Sequence, residues 1–310
     1  MGNQWKALGV MLIGAIAVLM PPTAAQAQTE EANVTTICQN NLHERNRSGS
    51  GICRDIIDAG TENAKVLGYY RGQIVNGLRQ GYGVYIFAQP AEGDEQTEFR
   101  DRYEGYFRND VFEGQGKLIY RNDDRYEGQF RNGLPHGRGV YLFSPAVDNE
   151  QATPGYRHRY EGQFQNGRFQ GLGTLRYARC QMYSRERLRC DNYQGPFVNG
   201  APQGQGVFTY STCLERGGNV VCDTFRGNFY DGQPNGNGSI TFANGDRCQG
   251  SFNDASLSGR GNCTFVNGRR YQGEYRRGLP HGRGIMTFPD GKVYRGEFQA
   301  GQPTGFGVSN

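Results

Sequence analysis

Residues 126–143 read YEGQFRNGLPHGRGVYLF, and residues 271–288 read YQGEYRRGLPHGRGIMTF. The shared heptad GLPHGRG has three readings: a glycine-rich phosphate loop used twice, a histidine site used twice, or one beat of a longer rhythm. A search for a period decides between them. The same 18-residue pattern starts at Tyr70, Tyr103, Tyr126, Tyr160, Tyr193, Phe225, Cys248, Tyr271 and Tyr294. Glycine fills its third, twelfth and fourteenth positions in all nine copies and the eighth in seven. Those columns use 34 of the chain's 48 glycines. The glycine excess is therefore periodic, unlike that of a disordered chain.

The first and fifth positions are aromatic in eight copies each, and the second is polar in all nine. Alternation of this kind reads as a strand with one apolar and one polar face. Tyr126, Gly128 and Phe130 share a face; Glu127 and Gln129 point the other way. A glycine between two rings leaves a gap in which a neighbouring ring can lie. The eighteenth position is aromatic in all eight complete copies, from Phe87 to Phe288, and ends a second strand. Between the strands NGLPHGRG is a turn, because glycine supplies positive φ and proline a corner. The connections ANGDR, VNGRR and PDGKV are further hairpin signals. A phosphate loop requires a following helix with Lys and Ser/Thr in place, and neither is there. His136 and His281 have no second ligand at metal spacing.

The pattern YEGQFxNGxxxGxGxxxF resembles the MORN (membrane occupation and recognition nexus) repeat over about residues 70–308. The resemblance implies an all-β fold: an elongated, twisted, single-layer antiparallel sheet of about nine tandem hairpins. It also implies a non-catalytic scaffold that binds proteins or acidic lipids. Cys248 departs from the pattern at an aromatic position, Asp110 and Ala255 at the eighth-position glycine, and Pro196 inside a strand.

Residues 1–27 read as a signal peptide: Lys6, an apolar run Ala7–Met20, then Pro21, Pro22 and the small-residue site Ala25-Gln26-Ala27. The run is short for a membrane span. Whether the segment is cleaved or kept as an anchor stays open. This makes the expected location periplasmic or secreted. Residues 28–66 lack the repeat and read as an N-terminal cap, ahead of the array at 67–310.

Eight cysteines in an exported chain imply disulfides. Cys180 and Cys190 lie symmetrically in the connection 178–192, as do Cys213 and Cys222 in 211–224. Symmetric residues face each other across a hairpin. Cys38–Cys53 and Cys248–Cys263 follow by elimination, the last on a diagonal of the inferred register. No CxxC pair occurs, which argues against metal clusters. No cofactor is expected.

The 18-residue core keeps its length, so the longer spacings place insertions at 88–102, 144–159, 178–192 and 211–224. Such insertions are where repeat proteins carry binding surfaces. Arg176, Arg179, Arg185, Arg187 and Arg189 make 176–190 basic, suited to a lipid phosphate, an acidic envelope polymer or an acidic protein. The insertion 88–102 is acidic. A net charge of +4 is too small for a nucleic-acid binder. Two other readings remain. The Tyr and Phe columns would be sugar platforms in a glycan-binding module. Glu104, Glu127 and Glu161, read as a column on neighbouring strands, would serve a hydrolase, although stacked like charges repel. Edge-to-edge pairing of two subunits is left open.

Overall fold

A computed structural model describes residues 34–40, 48–57, 65–87, 101–145, 153–184, 187–305 and 308–309. Among these residues there are strands and turns and no helix. The chain divides into two compact units, the first ending at Gln170 and the second running over Gly171–Asn310. Each is an antiparallel meander in which every hairpin pairs with the next.

The hairpin Arg125–Arg131 and Leu134–Leu142 shows how the pattern works. Asn132 and Gly133 both have positive φ, 50° and 79°, as a two-residue turn matched to strand twist requires. Phe130 pairs with Pro135, but Gly128 pairs with Gly139 and Tyr126 with Tyr141. The shift is a bulge beside Gly137, whose φ is +65°. The bulge recurs, and it corrects one expectation. It moves the first position opposite the sixteenth, so Cys248 faces Cys263 directly and not on a diagonal.

Gly128 and Gly139 then lie under the Tyr126 ring. A Cβ built on either would come within 3 Å of that ring. The phenol donates a hydrogen bond to the Gln129 carbonyl at 2.7 Å. Tyr70, Tyr103, Tyr160, Tyr193 and Tyr271 repeat the bond to the residue three ahead. Rings pack within a hairpin and against the next: Tyr103 stacks on Phe112 at 3.7 Å and meets Phe107 edge-on in its own hairpin, and meets Phe130 of the next edge-on. Each such pair contributes about 0.5–1.5 kcal/mol beyond area burial. Turn amides join consecutive hairpins, as in Gly133 N–H to Phe112 C=O at 3.0 Å.

Strands Val34–Asn40 and Ser48–Ile57 pair with each other, and the second pairs with Lys65–Val75. The register sets Cys38 opposite Cys53, and Cys53 is disulfide-bonded. The signal segment 1–27 lies outside the described residues.

Candidate functional site

Two connections are strand extensions rather than loops. Arg168–Ser184 and Arg187–Val198 run past the repeat as one hairpin arm. Gly204–Arg216 and Asn219–Tyr230 form a second, closed by Gly217 and Gly218, both with positive φ. A disulfide staples each arm, Cys180–Cys190 with Cα atoms 3.8 Å apart and Cys213–Cys222 at 4.0 Å. Cys248–Cys263 bridges a third hairpin.

Buried aspartates anchor the bases of the arms. Asp191 accepts the Ser211 N–H at 2.5 Å, and Asp223 accepts the Ala243 N–H at 2.7 Å. Burial pushes the Asp223 carboxyl above its usual range, partly offset by that hydrogen bond. Asp124 and Asp246 do the same for Ser144 and Val266, so long and short connections leave the sheet from one kind of anchor.

The arginines divide. Arg176, Arg187 and Arg189 are exposed. Arg187 and Arg189 sit two apart on one strand, opposite Ser184 and Gln181, and so share a face. Arg179 does not join them: it is ion-paired to the buried Asp191. Arg185 lies outside the described residues, as do residues 88–100 of the acidic insertion.

The aromatic columns are not sugar platforms. Tyr103, Tyr126, Tyr160 and Tyr193 are fully buried. The glutamates are not a column on neighbouring strands either. Lys117 stands between Glu104 and Glu127, and Val140 between Glu127 and Glu161. Glu104 and Glu161 are ion-paired to Arg102 and Arg159 on an open face. No cluster of three metal-ligating side chains occurs among the described residues.

One feature escaped the sequence reading. Arg79 occupies the slot over Tyr70 that Phe112 fills over Tyr103, its guanidinium 5.9 Å from the ring centroid. It is 8 % exposed and pairs with Asp55 at 2.7 Å and Asp110 at 2.8 Å, while Tyr85 donates to Asp55. Asp110 replaces the turn glycine with φ +68° and also accepts the Arg79 backbone N–H. Two departures from the pattern thus answer each other.

The sequence profile of the MORN repeat matches residues 70–89, 103–125, 126–145, 160–179, 193–212, 225–247, 271–293 and 294–309. The chain belongs to the MORN repeat family. MORN repeats are generally non-catalytic and bind proteins or membrane lipids. The eight matches skip the copy beginning at Cys248. That copy still folds as a MORN hairpin, Arg247–Asn253 with Ser256–Thr264. Leu257 there approaches the glycine pair that a tyrosine ring covers elsewhere. No curated protein matches the chain closely enough to count as a relative.

Proposed function

We propose that this protein is an exported, non-catalytic MORN scaffold whose stapled arms hold an anionic surface, on the cell envelope or on a protein partner. The observation that carries the reading is the first arm. Arg187 and Arg189 project together from a disulfide-bridged hairpin, so little conformational entropy is lost when they bind. The composition agrees: residues 171–310 hold 16 Lys and Arg against 10 Asp and Glu, a difference of +6, whereas residues 28–170 hold 17 against 20, a difference of −3. Three disulfides fit an oxidising compartment, in line with the signal-like segment at 1–27. In this reading residues 28–66 cap the exposed edge of the array at 67–310.

The test uses the full chain and an Arg187→Ala/Arg189→Ala variant. Co-sedimentation with phosphatidylglycerol vesicles reads the lipid source of the anion, and pull-down from an envelope fraction reads a protein source. The proposal expects one of the two to be salt-sensitive and to weaken about tenfold in the variant. Equal binding by both proteins in both assays overturns it.

A further inference from the structure

The second unit carries a groove on its polar face, away from the arms, that no motif announces. Register brings Gly238, Gly250, Gly261, Gly273, Gly284 and Gly296 into one unbroken row across six strands. Because their missing side chains would point at the ring-bearing face, the opposite face shows bare backbone along this row. Flanking residues rise on both sides and border an open trough of ≈ 900 Å³. At about 4.8 Å per strand the floor runs about 24 Å, perpendicular to the strands.

One wall carries side-chain amides in register, Gln249 opposite Asn262 and Asn262 opposite Gln272. The other carries alternating charge: Arg260 faces Glu274, and Arg283 is ion-paired to Glu297 at 3.2 Å. With Arg295 the walls hold three arginines and two glutamates. The positive charge is largely answered in place, so a polyanion gains little here. An extended peptide has no free backbone to pair with, since each inner strand is hydrogen-bonded on both sides. Planar amide, guanidinium and carboxylate groups each present paired donors or acceptors, which suits the adjacent hydroxyls of a sugar. The flat floor accepts the C–H face of a pyranose ring.

We propose that this groove binds a linear, uncharged, β-1,4-linked glycan chain laid along the repeat axis. An open-ended trough about 24 Å long takes a chain in its extended form, which a β-1,4 link favours and a coiled α-1,4 chain does not. In the first unit the wall that corresponds to the amide wall holds Glu104, Lys117, Glu127 and Glu161, and the amides Gln115 and Gln129 face each other on the opposite wall.

The full chain is titrated calorimetrically with cellohexaose and N-acetylchitohexaose, against maltohexaose, polygalacturonate and phosphatidylglycerol vesicles. The proposal expects saturable binding of at least one β-1,4 hexamer. An Asn262→Ala/Gln272→Ala variant loses about tenfold in affinity, from two hydrogen-bonding side chains. Both residues are exposed, and an unchanged circular dichroism spectrum confirms folding. A second trough variant, Gln249→Ala, removes another amide of the same wall. The arm variant Arg187→Ala/Arg189→Ala binds the hexamer like the parent, which separates this site from the arms. The inference is overturned by no binding of either β-1,4 hexamer, by binding that ignores both trough substitutions, or by equal or tighter binding of maltohexaose, polygalacturonate or vesicles at the trough.

Discussion

In the first unit Tyr103 and Tyr160 are stacked on Phe112 and Phe169, each at 3.7 Å, and Tyr70 lies against Arg79 with its two carboxylate partners. In the second unit the same slot holds Pro202, Pro234, Leu257, Pro280 or Pro303 and never a ring, as it holds Pro135 in one hairpin of the first, and three disulfides bridge its hairpins. One repeat frame is therefore closed in two ways. Ring stacks, a buried ion network and the disulfide at Cys53 close the first unit, while three covalent staples supplement thinner packing in the second. The difference teaches where each unit is vulnerable.

Reduction is expected to have the largest effect. Each staple contributes about 3 kcal/mol in the chain-entropy model. Amide hydrogen exchange with and without dithiothreitol is expected to show a loss of several kcal/mol in residues 171–310 and a smaller one in residues 65–170. Equal losses would break the comparison. Next is Asp55→Ala, which leaves the buried Arg79 with Asp110 alone and takes the acceptor from Tyr85, and is expected to cost about 2–3 kcal/mol in the first unit alone, read by urea unfolding. An Arg79→Leu/Asp55→Ala/Asp110→Gly variant, which restores the ordinary repeat, is expected to recover most of that loss.

Smaller effects follow from titration and single hydrogen bonds. Burial depresses the His158 imidazole in the first unit. Because the folded value is the lower one, its stabilising contribution is intact above about pH 6.5 and fades as pH falls below that. That loss is expected in the first unit, and amide exchange across a mildly acidic pH series checks it. At high pH the two units behave alike: burial raises Tyr70 in one and Tyr271 in the other to about 12, so both lose stability as pH rises from about 10. The smallest is Tyr126→Phe, which removes the bond to the Gln129 carbonyl. It is expected to cost about 1 kcal/mol, as Phe225 at the equivalent position already suggests.

The period, the hairpins and the arm staples were legible because glycine spacing is rigid and hairpin symmetry is geometric. The two-residue register shift was not. Glycine at the twelfth position permits a bulge without dictating it, so Cys248 and Cys263 read as diagonal. The glutamate column failed for a related reason: its members are two strands apart, and the strands between bring Lys117 and Val140. Arg179 read as part of a basic face because nothing local announces Asp191 as its partner. Asp110 stood out as a missing glycine, but its reason, Arg79, lies 31 residues earlier. The polar groove appears only once register aligns six glycines, since in sequence they are indistinguishable from packing glycines.

All of this depends on a tyrosine ring occupying space that only a glycine pair leaves. The direct measurement is a double-mutant cycle on Tyr126 and Gly139 by urea unfolding. Gly139→Ala alone puts a methyl into the ring and is expected to cost about 2–3 kcal/mol. Tyr126→Ala alone is expected to cost about 3–5 kcal/mol. Combined, the methyl meets no ring, and the double variant is expected to be at least about 1 kcal/mol more stable than the sum of the two losses predicts. Additive losses would show that ring and glycine do not share that space, and would contradict the account.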